Sequence, residues 1–335
     1  MLARLLAVMC ATAIAATASV YSPPVRAEVT AEKSDDKVTI KIDGKLFTEY
    51  LTKSGSKPIL WPVIGPTGAP MTRSYPMEKV AGEATDHVHQ RSFWFTHGNV
   101  NGIDFWSEGA KAGKQNHKEF VRVEGGRQAI VITRNDWVAP DGKKLLQDER
   151  QLTFFPLADA RVIDFDITLT ASADQVTFGD TKEGSFGIRI AETARPDRGA
   201  GRILNSEGQV DDASTVKKPQ TWGKRASWVD YSGPVKDAAG KKHVAGITIL
   251  NHPASFRFPT YWHVRTYGLF AANPFGVHDF EGKSTEEGAG NHTLKQGQTM
   301  RLKYRVILHA GLGDAPQFQK MFDAYTARAD QASAN

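Results

Sequence analysis

Between Asp86 and Trp106 the chain gathers three of its ten histidines, His87, His89 and His97, with two acids, Asp86 and Asp104, and one guanidinium, Arg91. Five large aromatics share the stretch: Phe93, Trp94, Phe95, Phe105 and Trp106. A second dense stretch runs from Tyr261 to Phe280 and carries His263, Arg265, Tyr267, Asn273, His278 and Asp279. A third, thinner one runs from Lys182 to Glu192 and includes Glu183 and Arg189. An imidazole beside a carboxylate can pass a proton near neutral pH. A guanidinium holds hydroxyls or a carboxylate, and an aromatic face stacks on the apolar side of a pyranose. Together these residue types suit a pocket that handles sugars.

The roles divide accordingly. His89 or His263 is expected as the acid and Glu192 or Asp279 as the base, with His87 beside them. Arg91 and Arg265 are expected to hold hydroxyls or a carboxylate. Trp94, His97, Tyr267, Asn273 and His278 are expected to line the pocket, although an indole such as Trp94, Trp106 or Trp262 is more often core or rim than a ligand platform. His87 and His89, two apart, could also reach one divalent metal ion, with His97, His263, His278 or an acid completing the set; two histidines alone are not a ligand set. Glu281, Glu286 and Glu287 read as a solvated acidic rim.

Other chemistries lack their signatures. No glycine-rich phosphate loop opens a helix, no Gly-x-Ser-x-Gly elbow appears, and there is no His-Glu-x-x-His pair.

Strands must position these residues. Ser92 to Thr96 reads with period two, because aromatics and threonine suit a pleated surface. On the same period His87, His89 and Arg91 share one face of the approach to it. Tyr261 to Phe270 reads as one strand with Tyr261, His263, Arg265 and Tyr267 on a common face. Elsewhere, short alternating segments follow one another: Lys37 to Ile42, Leu46 to Leu51 after an Asp43-Gly44 turn, Ile59 to Ile64, Phe120 to Val123, Ala129 to Thr133, Lys144 to Phe155 and Ala160 to Thr170. Further strands are expected at Gly184 to Thr193, Ala226 to Tyr231, His243 to Leu250 and Met300 to His309. Pro196 to Gly201 and Lys217 to Lys224 read as polar loops. One helix is expected, short and C-terminal, capped by Asp314, with Pro316 in its first turn and Phe318, Met321, Phe322 and Tyr325 at helical spacing. The tail from Ala327 is expected to fray.

The bulk properties narrow the class. Residues 1–27 have Arg4, an apolar run and a small-residue end, which predicts a cleaved export signal. Removing Arg4 and Arg26 takes the formal charge from +5 to +3, since that segment holds no acid. The single cysteine, Cys10, goes with it, so disulfides and thiolate chemistry are excluded from residues 28–335. The remaining charge is small and scattered, which argues against nucleic acid. No segment is long and apolar enough to span a membrane. A periplasmic or extracellular protein is expected. Its oligomeric state is open, and residues 28–335 read as a single domain.

The stretches Asp86 to Gly98, Asn101 to Trp106, Lys182 to Arg189 and Trp262 to Phe280 resemble the exported bacterial family labelled PmoA, or methane oxygenase PmoA-like. Val88 departs from it, where that family commonly has proline between the histidines. The resemblance implies an antiparallel supersandwich similar to galactose mutarotase, in which a histidine acid and a carboxylate base open and reclose a sugar ring. The expected fold is thus all-β, a large antiparallel sandwich with a short C-terminal helix. The expected function is an exported carbohydrate-active enzyme using His/carboxylate acid–base chemistry, of epimerase, lyase or hydrolase type, on a sugar or oligosaccharide. A non-catalytic sugar-binding module and a metal-dependent oxygenase or lyase are the alternatives.

Overall fold

The computed structural model describes residues 27–282 and 286–332. The expected leader, residues 1–27, lies outside them apart from Ala27. The chain opens with β1 (Val29–Lys33), β2 (Lys37–Ile42), β3 (Lys45–Ser54), β4 (Lys57–Val63) and β5 (Phe93–His97). Four long strands follow: β6 (Lys114–Glu124), β7 (Ala129–Val138), β8 (Lys144–Leu157) and β9 (Ala160–Ala171). Then come β10 (Gln175–Phe178), β11 (Gly184–Arg189), β12 (Arg202–Asn205), β13 (Val210–Asp211), β14 (Trp228–Lys236) and β15 (Lys242–Asn251). The last elements are β16 (Tyr261–Val264), β17 (Leu269–Asn273), α1 (Val277–Glu281), β18 (His292–Lys295), β19 (Thr299–Ala310) and α2 (Ala315–Ala332).

Two large sheets result. The first has the order β1-β2-β3-β4-β5-β11-β17-β16 and the second β13-β12-β14-β15-β19-β9-β8-β7-β6, while β10 and β18 pair separately. Every ladder among the described residues is antiparallel. The alternating burial of β9, where Ile163, Phe165, Ile167 and Leu169 turn inward, is the period-two pattern of a half-buried strand. Between the sheets lies one apolar layer, in which Phe93 meets Phe165 at 5.9 Å and Phe186 stacks on Tyr304 at 4.3 Å. α2 covers the outer face of the second sheet: Phe318 and Tyr325 pack on Trp228, Leu250 and Ile307. Its first turn is capped as expected, Gln317 N–H donating to Asp314 Oδ1 at 2.9 Å.

The outer face of the first sheet is different. Small residues on β11 and β17 leave room there for Trp94. Its ring rests over Gly187, where an added Cβ would come within 2.6 Å of it. Trp106, Ile59, Leu269 and Ala271 complete a third apolar cluster around it. This cluster is the floor of the candidate site.

Two expectations about strands fail, both near the site. The approach to β5 is not extended: His87 and Ser92 have φ of 45° and 52°, which breaks period two before the strand begins. Tyr261 to Phe270 is a hairpin, not one strand. Gly268, at φ 99°, turns the chain, and Arg265 N–H bonds Leu269 O at 2.7 Å.

Candidate functional site

Three strands carry the site on alternate residues. On β11, Phe186 and Ile188 enter the core while Gly187 and Arg189 take the outer face. On β16, Trp262 and Val264 are core, so Tyr261, His263 and, just beyond the strand, Arg265 point outward. On β17, Phe270 and Ala272 are core, with Leu269, Ala271 and Asn273 outward.

The first and second dense stretches meet over this face. The His87 imidazole stacks on Tyr267, with centroids 5.4 Å apart and planes 13° apart. The His87 and His89 rings lie 5.8 Å apart, and His89 lies 6.3 Å from Trp106. Burial, then Lys57 and His87, lower the His89 pKa to about 4.

Below His87, Arg73 and Arg189 are both 0% exposed and share Asp86. Arg73 donates to Asp86 Oδ1 at 2.6 Å and Arg189 at 3.3 Å, while His87 Nδ1 is 2.8 Å from Oδ2. Burial pushes the Asp86 carboxyl up, but His87, Arg189 and Arg73 outweigh it and hold it at about 2. Arg189 also donates to Gln90 Oε1 at 2.5 Å and lies 4.9 Å over the Tyr267 ring. This cluster ties the 84–91 segment to β11 and the β16–β17 turn.

The other side of the site is built on Lys182 and Glu183. His263 is 2% exposed, and its Nδ1 lies 2.7 Å from Lys182 O. A carbonyl only accepts, so Nδ1 carries the proton and Nε2 is left as an acceptor. Burial, then Arg265, lower the His263 pKa to about 3, so the ring is neutral at ordinary pH. Asp279 Oδ2 accepts Lys182 N–H at 2.7 Å, and the Lys182 ammonium stands 3.7 Å from Glu183 and 3.8 Å from Asp279. Burial raises the Glu183 carboxyl pKa against the pull of Lys182 and Arg265. The Arg265 guanidinium lies 4.5 Å over the Trp222 ring, and Trp222 stands 6.5 Å from His263. Glu183 stands where the stretches converge: its carbonyl accepts Gly98 N–H at 2.6 Å, and its charge is coupled to Asp104, Arg265 and Asp279.

His87, His89, His263, Arg265, Tyr267 and Asp279 are thus gathered on one sheet face. Six other expected site residues are placed elsewhere or engaged. Arg91 is out of phase with His89 because the chain turns at Val88 and His89, Gln90 N–H bonding His87 O at 2.9 Å; it pairs with Glu108 through two 2.7 Å bonds. Glu108 also holds Lys57, whose burial lowers its pKa to about 8. Glu192 sits in a short 3-10 turn past β11, bound by Arg195 at 2.6 Å, and opens on a separate hollow of about 380 Å³ with Arg198, Lys236 and Lys242. His97 is core: Nε2 is 2.8 Å from Gly179 O, its ring packs 4.5 Å from Phe275, and burial lowers its pKa to about 4. Trp94 is floor, not platform. Asn273 is a buried latch whose amide donates to Thr181 O and Lys182 O. His278 lies in α1, where its N–H donates to Asp180.

Among the described residues no three His, Cys, Asp or Glu side chains are grouped to hold a metal, so the donor set proposed around His87 and His89 lacks its completion. Glu183, Arg189 and Trp222 were not among the expected site residues. The Lys182–Glu192 stretch carried the first two, and only its position before a strand that pairs with β5 and β17 marks them as site residues.

The sequence matches a family of unknown function, DUF6807, over residues 37–323. The chain belongs to that family. This DUF6807 member therefore carries a different family label from the PmoA one its motifs resemble. No protein of curated function matches it. Solved structures similar to it include a β-arabinopyranosidase, at 10% identity and TM-score 0.32 over 86% of this chain and 39% of that one. A putative aldose 1-epimerase from Klebsiella pneumoniae is 12% identical, with TM-score 0.43 over 89% and 86% of the two chains. A galactose mutarotase-like protein from Clostridium acetobutylicum is 9% identical, with TM-score 0.42 over 84% and 98%. The DUF6807 chain spans 39% of the length of the arabinopyranosidase. Likenesses of this size transfer neither an activity nor a residue role. Among the described residues of this DUF6807 chain, no helix is long and apolar enough to cross a membrane.

Proposed function

We propose that this DUF6807 protein is a carbohydrate-active enzyme that moves a proton on a sugar held against the outer face of its first sheet. The observation carrying the reading is the convergence of Glu183, His263 and Arg265 from two separated stretches onto one face. A carboxyl whose pKa burial has raised is matched to proton exchange nearer neutrality than an ordinary glutamate. His263 contributes a neutral Nε2 that accepts a sugar hydroxyl, while His89 and His87 border the opposite wall. In an epimerase outcome the anomeric hydroxyl proton passes to the Glu183 carboxylate as the C1–O5 bond breaks and the C1 carbonyl forms, and the carboxyl returns that proton to O5. In a hydrolase outcome water supplies the new hydroxyl at C1 and its proton goes to the leaving glycosidic oxygen. In a lyase outcome the proton comes from the carbon beside a carboxylate, a C=C bond forms, and the proton goes to the leaving oxygen. Asp279 holds Lys182, and its charge helps to raise the Glu183 carboxyl.

The leader-like composition of residues 1–27 supports export, and we place the protein in the periplasm or outside the cell. The methane-oxygenase label of the resemblance enters no step, because the residues described do not assemble a metal site.

The test is a panel of aldoses and oligosaccharides, followed by NMR for anomer exchange and by product analysis for cleavage, on wild type, Glu183→Gln and His263→Ala. Glu183→Gln is expected to lower turnover by about 10²- to 10⁴-fold, the range for loss of a general acid–base group, with sugar binding retained. Unchanged turnover in both variants overturns the assignment. Binding of sugars by wild type with no turnover of any favours a sugar-binding module instead.

A further inference from the structure

Resting on the sugar-handling reading, we infer that the sugar is acidic, and that Arg265 docks its carboxylate. The Arg265 side chain is half-buried, yet among the described residues no hydrogen bond and no carboxylate within 4.0 Å engages its guanidinium. Its Nε is buried without a partner, as are those of Arg73 and Arg189, but unlike theirs its terminal nitrogens have no carboxylate either. The other half-buried or buried arginines of this face and its surroundings are all engaged: Arg73 and Arg189 by Asp86, Arg91 by Glu108, Arg195 by Glu192 and Asp197. Arg265 is the exception, and it sits beside His263 in the middle of the site.

Its position is fixed in spite of this. The Arg265 guanidinium is held over the Trp222 ring at 4.5 Å, and its backbone N–H is bonded to Leu269 O at the root of the hairpin. The acids whose charges reach it, Glu183 and Asp279, stand instead on either side of the Lys182 ammonium, at 3.7 and 3.8 Å. A planar guanidinium stacked on an indole keeps its in-plane donors pointing sideways, where they match the two oxygens of a carboxylate. A half-buried donor group left unmatched is costly, so a ligand that matches it gains more than one that presents only hydroxyls. The fitting ligand class is a uronic acid, free or at the end of an oligosaccharide, with the carboxylate on Arg265 and ring hydroxyls toward His263 and Glu183.

The test uses the full chain, with calorimetry at one fixed ionic strength and three ligand sets: glucuronate and galacturonate, glucose and galactose, and the 6-phosphates of those two neutral sugars. Wild type is expected to bind at least one uronate about tenfold or more tightly than its neutral counterpart, the order of effect for one charge-assisted pair. Arg265→Met is expected to lose that preference, its uronate affinity falling about tenfold or more further than its affinity for the neutral sugars. Arg265→Lys, which keeps the charge without the fork, is expected to lose most of it, and it serves as the second variant should Arg265→Met fail to fold. Equal affinity for uronate and neutral sugar in wild type overturns the inference while leaving the sugar reading intact. So does a preference that survives both substitutions, or tight binding of the phosphates without the uronates. Failure to bind any sugar overturns both.

Discussion

The His87 imidazole lies parallel to the Tyr267 ring, 5.4 Å between centroids, although 180 positions separate them by number. This contact joins two stretches that the sequence presents as unrelated, and it rests on a single carboxylate. Asp86, next to His87, is the anion shared by Arg73 and Arg189, both fully buried.

Asp86→Asn leaves those two guanidiniums without their common anion. Breaking a fully buried pair costs about 3–5 kcal/mol; Asp86 is half-exposed, so about 2 kcal/mol is expected. Denaturant titration measures it. A midpoint unchanged from wild type would show that Gln90 and the backbone carbonyls suffice to hold both arginines.

Acidification should destabilise the protein before its carboxylates titrate. Folded-state pKa values near 4 for His89 and His97, and near 3 for His263, lie below the unfolded value of about 6.5. For a histidine depressed in this way, stability is fully present above about 6.5 and is lost as pH falls toward the folded value, because the unfolded chain binds the extra proton. Unfolding midpoints are therefore expected to fall steadily between pH 6.5 and 4, and His97→Gln should flatten that slope. A flat profile across the window would contradict the neutral buried rings.

On the role proposed for it, Glu183 sets the acid limb of activity. As its carboxyl is raised above the ordinary value of about 4.3, the rate of any sugar conversion should decline on acidification from a higher pH than an exposed glutamate would give. Neutral His263 contributes no second limb above pH about 3. The measurement is kcat/KM against pH, and in Glu183→Asp the limb should move.

Gly187→Ala tests the floor. The added methyl would stand 2.6 Å from the Trp94 ring, itself packed 5.3 Å from Trp106. Overpacking of this kind costs about 1–3 kcal/mol. A lowered melting temperature with altered tryptophan fluorescence is expected; a variant that melts like wild type would mean that the indole can shift.

Much of the fold was legible because β2, β7, β9 and β19 alternate cleanly, and period two is enforced by the pleat. The site was legible in its stretches and less so in its residues. Arg91 was misplaced because the turn that begins at His87, with φ 45°, carries no composition signal: histidine is not glycine. Tyr267 was assigned to the right face for the wrong reason, since the hairpin at Gly268 and not strand alternation brings it there. Glu192 and Glu183 both flank β11, and nothing local tells which end faces the sugar side; that depends on how β11 pairs with β5 and β17. Trp222 was hidden in a polar loop that sequence reasoning passes over, and its role appears only when Arg265 is found lying on it.

Each of the three site strands is two-sided, with phenyl, sec-butyl or indole groups buried behind the outward ones. Such a strand cannot be edited by length: inserting or deleting one residue in β11 would exchange Ile188 for Arg189, presenting a hydrocarbon to solvent and driving a cation into oil. Descendants of this protein can therefore retune what they recognise by point replacement on the outward positions, or by lengthening the connecting loops, while the strands themselves stay locked in frame.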